Sequence, residues 1–172
     1  MLRFGAALGS ALLLSTAPAY AVSNTYVLTM DGAQEVPGPG DPDGSASGTI
    51  TLDDGDGSIS WSITYSAISA PTAMHIHGPG GSAGSQANVF VSLGVAGGPG
   101  TLDSSTSTTP ANVSSIFANP TDFYVNIHTG DFPGGAVRGQ LGTLIPEPAP
   151  AQLIGLGALA LGWMRRQRRR KH

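Results

Sequence analysis

The strongest constraint on the fold is an alternation with a period of two. Ile59, Trp61, Ile63 and Tyr65 are separated by Ser60, Ser62 and Thr64. Successive side chains of an extended strand point to opposite faces, so this run buries one face and wets the other. In a helix of 3.6 residues per turn the same apolar set would scatter around the circumference. Shorter stretches of the same character at 26–30, 47–52, 73–77, 89–93, 123–128 and 136–144 predict further strands. Gly, Pro, Asp and Ser fill 38–45, 53–58, 78–86 and 94–110, which mark turns and loops. The last of these is expected to be a long mobile loop. Pro110 opens a short helix over 110–118. About seven strands with Gly-rich turns predict an all-β, antiparallel sandwich or barrel with one wet face.

The two ends have a different character. Met1 and Arg3 precede an apolar and small-residue run to Leu14. Ser15 and Pro18 then break it, and Ala19-Tyr20-Ala21 offers a small-x-small cleavage pattern. This order reads as a signal peptide over 1–21, to be removed by signal peptidase. At the other end Pro146-Glu147-Pro148 precedes an apolar stretch over 149–164 and a basic run over 165–171. Sixteen helical residues span only ~24 Å, so this stretch crosses a bilayer marginally, aided by basic residues that reach the head groups. The positive terminus would remain cytoplasmic and leave the preceding domain outside. Motif, apolar helix and basic run in this order resemble the PEP-CTERM sorting signal of Gram-negative bacteria. That resemblance implies processing by an exosortase-type enzyme. It also implies a location at the cell surface, in the outer membrane or outside the cell, with transient or retained inner-membrane anchoring through the C-terminal helix.

Separating the ends changes the charge. The whole chain carries −3, but seven of its eight Lys and Arg lie at 3 and 165–171. Between 22 and 145 Arg138 stands against ten acids, a net charge of about −9. A domain of that sign repels phosphate backbones, which excludes nucleic acid as a partner. It contains no cysteine, so disulfides and thiolate metal sites are excluded. No serine sits in a recognisable nucleophile setting, and the glycines do not form a phosphate loop between a strand and a helix. The domain is therefore read as non-catalytic. Asp53-Asp54-Gly55-Asp56-Gly57 resembles a calcium loop only superficially. Its twelfth position counted from Asp54 is Tyr65, inside a strand, so the segment reads as a tight turn.

His75-Ile76-His77 is the most informative local motif. On a strand the two imidazoles project from one face, their Cα atoms ~6.6 Å apart. His128 lies on another predicted strand with Tyr124 and Asn126 as face-mates, while Phe123, Val125 and Ile127 face the core. If those strands are neighbours, three histidines converge and suit Cu(II) or Zn(II). The same residues also suit a structural role, hydrogen-bonded to backbone or carboxylates. Arg138, the domain's one fixed cation, is expected to form an internal ion pair or to cap backbone carbonyls.

Four segments carry a further resemblance. They are Gln34-Glu35-Val36-Pro37, Ala73-Met74-His75-Ile76-His77-Gly78-Pro79, the stretch from Phe123 to Thr129, and the stretch from Pro133 to Leu141. Their order and spacing over about residues 25–144 resemble the CHRD domain, with Ala136 where that family often has an acid. The resemblance implies an all-β, immunoglobulin-like sandwich. It marks Glu35, Pro37, Asn126, Arg138 and Gln140 as structural positions and supplies no catalytic residues. The expected organisation is thus 1–21 signal peptide, 22–145 β domain and 146–172 sorting tail. The expected function is a non-catalytic surface or matrix protein that binds exopolysaccharide or other surface proteins. The alternative is a Cu- or Zn-binding or redox protein centred on His75, His77 and His128.

Overall fold

A computed structural model describes residues 21–145. The signal segment with Ala19, and the tail with Pro146, Glu147 and Pro148, lie outside the described residues. Ala21 is the first described residue.

Nine strands form in chain order: β1 (Ser23–Asp31), β2 (Ser45–Asp53), β3 (Ser58–Ser66), β4 (Pro71–His77), β5 (Val89–Leu93), β6 (Thr101–Ser107), β7 (Tyr124–Thr129), β8 (Val137–Gln140) and β9 (Thr143–Ile145). One α-helix is present among the described residues, α1 (Pro110–Ala118), between β6 and β7. Thr109 caps it by accepting from the Asn112 backbone N–H, and Pro110 occupies its first turn, where no amide donor is needed.

The sheet is antiparallel and nearly closes into a barrel, with the order β5-β4-β7-β8-β1-β2-β3-β6 and β9 beside β1. Two groups of four strands, β6-β3-β2-β1 and β5-β4-β7-β8, meet where Asp31 pairs with Arg138. The sequence reading of seven strands is corrected to nine, and the hydrogen bonding runs through one continuous sheet rather than two separate leaves. One addition is β6, which falls in the segment expected to be a loop. Ser and Thr give it no apolar face except Leu102, yet Ser58↔Ser107 through Thr64↔Thr101 pair its whole length with β3. The other comes from a break in 136–144. Leu141 turns inward, fully buried, and separates β8 from the short β9 on Thr25–Val27 of β1.

The period of two survives in the burial. Ile59, Trp61 and Ile63 are buried while the serines between them are exposed. They join Tyr26, Leu28, Met30, Ile50, Leu52, Met74, Ile76, Val125 and Ile127 in one core, to which α1 adds Val113 and Ile116 at helical spacing. Each such aliphatic side chain contributes roughly 1.5–3 kcal/mol by leaving water. The acidic turn between β2 and β3 is the expected tight turn. Asp53 accepts from the Gly55 N–H and Asp56 from the Ser58 N–H.

Candidate metal centre

The core alternation in β4 and β7 places the polar residues of both strands on the opposite face. Met74 and Ile76 point inward, so His75 and His77 point outward; Val125 and Ile127 point inward, so Tyr124, Asn126 and His128 share the outer face. The two strands are hydrogen-bonded neighbours, with Ala73↔His128, His75↔Asn126 and His77↔Tyr124 in register. The three histidines therefore converge as the pattern requires. Each offers one ring nitrogen, and these atoms all lie within 4.8 Å of one another. The tightest pair is His75 Nδ1 and His128 Nε2, 3.0 Å apart.

Two backbone carbonyls orient this cluster. His77 Nδ1 lies 2.9 Å from the Ala87 carbonyl oxygen, and His128 Nδ1 lies 3.0 Å from that of Pro133. A carbonyl only accepts, so both rings carry their proton on Nδ1 and leave Nε2 unprotonated, that of His128 accepting from His75 Nδ1. Such outer contacts fix the tautomer of metal-binding histidines. The buried Nε2 of His77 has no hydrogen-bond partner among the described residues. Burial holds the pKa of His75 below its ordinary value, and the neighbouring His128 and His77 lower it further. Burial also lowers that of His77, against the raising effect of the Ala87 carbonyl. These two rings are thus neutral at pH 7, the form that binds a cation.

The loop that carries Ala87 is held down from the far side of β7. Arg138, 1 % exposed, donates to the carbonyls of Ser85 at 2.8 Å, Gly81 at 3.0 Å and Ser82 at 3.1 Å, and to Gln140 Oε1 at 2.9 Å. Gln140 Nε2 in turn donates to the carbonyls of Gly81, Thr121 and Phe123. The Arg138 guanidinium also lies 3.5 Å from the centre of the Tyr124 ring, and Tyr124 stacks on His77 with only 6° between the planes. Of the two roles expected for Arg138, capping of carbonyls is the one the hydrogen bonds display.

Glu35 and Asn126 complete the buried polar face. Glu35 is buried and its pKa is raised to about 7, because burial outweighs the attraction of Arg138 and the contribution of Asn126. Asn126 is 2 % exposed. Pro37, by contrast, is exposed, on the wall of a cleft of about 350 Å³ that Glu35, Gln86, Phe132 and Pro133 also line. Sequence reasoning did not find the anchoring carbonyls of Ala87 and Pro133, nor the stacking of Tyr124. Backbone acceptors in Gly- and Pro-rich loops leave no side-chain signature.

A single antiparallel β domain with a histidine-bearing outer sheet face is the class that fold and site define. Across residues 26–141 the sequence matches the CHRD domain, two thirds of the chain. The chain belongs to the CHRD domain family. No curated protein and no solved structure matches it.

Proposed function

We propose that the chain is an exported, non-catalytic domain of the bacterial cell surface or matrix, and that its working element is a three-histidine centre for Zn(II) or Cu(II). The observation that carries the metal reading is the convergence of three imidazole nitrogens within 4.8 Å, two of their rings aimed by backbone carbonyls. Nitrogen donors at ~2.0–2.1 Å suit both ions. Binding requires His75 to release Nδ1 by moving its proton to Nε2, and the 3.0 Å pair with His128 to open slightly. Export is supported by the signal-like N-terminus, the Pro-Glu-Pro tail and the acidity of the span between them. Membership of a family taken to consist of extracellular domains agrees with it.

Metal analysis and calorimetry with Zn(II) and Cu(II) on the exported protein test the centre. One equivalent bound, and lost in a His77→Ala/His128→Ala variant, supports it; no binding in the wild type overturns it. Deletion of 146–172 tests the sorting reading, which predicts release into the medium or periplasm. Unchanged retention on cell fractionation would overturn that part.

The cleft beside the centre favours a second reading, in which the same face binds a surface polymer or protein. Gln86 and Pro133 on its wall adjoin or include the residues that anchor His77 and His128. Exopolysaccharide or a neighbouring surface protein is the expected partner. Pull-down with isolated exopolysaccharide tests it, and wild-type binding equal to that of an unrelated acidic protein would overturn it.

A further inference from the structure

Asn126 shares the sheet face of the three histidines. It pairs with His75 on one side, His128 follows it by two residues on the same face, and His77 is one strand pair away. On its other side it pairs with Arg138. The residue is 2 % exposed, and its Oδ1 atom is buried without a hydrogen-bond partner among the described residues. His77 Nε2 is orphaned in the same way.

With His77 neutral, those two atoms cannot satisfy each other. The His77 proton is committed to the Ala87 carbonyl through Nδ1, so Nε2 only accepts, and an amide oxygen only accepts. Leaving two such acceptors buried and unpaired destabilises the fold. A cation shared by both removes the penalty, whereas an apolar filling does not. A neutral carbonyl oxygen beside three imidazoles gives an N3O donor set, which matches the four-coordinate preference of Zn(II).

We propose that Asn126 Oδ1 is the fourth donor of the centre, making it a closed N3O site for Zn(II). This rests on the three-histidine reading above. It adds a ligand that histidine spacing does not reveal, and it makes the site a holding site with no position kept for substrate.

The test uses the exported chain with ZnCl2 as the probe. Calorimetry should show Asn126→Ala weakening Zn(II) at least about tenfold, with Asn126→Asp retaining or exceeding wild-type affinity because its carboxylate still supplies an oxygen. Wild-type binding with an undiminished Asn126→Ala would overturn the fourth donor and leave the three histidines standing. Loss in Asn126→Asp equal to that in Asn126→Ala would also overturn it, since it marks an amide that only donates to His77. Absence of Zn(II) binding in the wild type would remove both. A measurement on the wild type avoids any folding defect of the variants: Zn(II) should shift the side-chain carbonyl carbon resonance of Asn126. An unmoved resonance at saturating Zn(II) would overturn the assignment.

Discussion

His75 Nδ1 and His128 Nε2 face each other at 3.0 Å across adjacent strands, and one proton between them holds the pair together in the absence of a cation. A metal needs the lone pair that this proton occupies, so the proton passes to His75 Nε2; neutral rings release none, and pH enters where the rings become protonated. His75 and His77 titrate below the ordinary histidine value. Zn(II) affinity is therefore expected to be nearly flat above pH 7 and to fall steeply only below about pH 6.5. The same shifts act on the metal-free protein. A depressed histidine pKa contributes stability that is fully present above the unfolded value and is lost as pH falls through the folded one. Calorimetry and urea unfolding between pH 5 and 8 check both trends, and an affinity still rising between pH 7 and 8 would contradict the first.

Glu35 works in the opposite sense. Its folded pKa is raised to about 7, so its contribution is fully present below its unfolded value of 4.5 and is lost as pH rises through 7. Glu35→Gln does not titrate. The stability of the wild type relative to this variant should decline by roughly 1–2 kcal/mol between pH 4.5 and 8, after allowance for partial screening by solvent. Parallel pH profiles for the two proteins would show that Glu35 is not held neutral by burial.

Arg138 should be the most sensitive polar position outside the histidines. Its guanidinium serves three loop carbonyls and Gln140 while covering Tyr124. Arg138→Met keeps bulk but leaves those carbonyls without their charged donor, and is expected to cost about 3 kcal/mol or more in urea unfolding. Amide exchange in 79–87 should accelerate. Zn(II) affinity should fall with it, because that loop carries the carbonyl that aims His77.

Gly57 closes the turn between β2 and β3 with φ +76°. A Cβ there would run into the Thr108 carbonyl oxygen, which itself lies beyond the end of β6. Gly57→Ala is expected to lower stability by about 1–3 kcal/mol, from left-handed strain and displacement of 108–110. Thermal unfolding checks this. The effect on Zn(II) affinity should be small, since the turn belongs to the strand group that does not carry the histidines.

Local pattern was enough to establish much of this protein. Alternation in 59–63 decides which side chains are buried, because a strand has only two faces; in 123–128 it decides only which face each side chain takes, since Tyr124 and Asn126 are buried as well. The Asp-Gly run at 53–57 must turn, and Pro110 must start its helix near the point observed. His75 and His77 had to share a face whatever the topology. What local pattern leaves open is partnership between distant segments. The strand β6, rich in Ser and Thr with Leu102 as its single buried apolar residue, forms because the free edge of β3 supplies backbone partners, and no amphipathic signal announces it. The union of the two strand groups into one sheet depends on Asp31 meeting Arg138, residues more than a hundred positions apart. The histidine triangle likewise depends on β4 lying against β7, and its aim on two loop carbonyls. Side-chain periodicity is a property of a segment, whereas convergence is a property of which segments pair, and only the tertiary structure decides that.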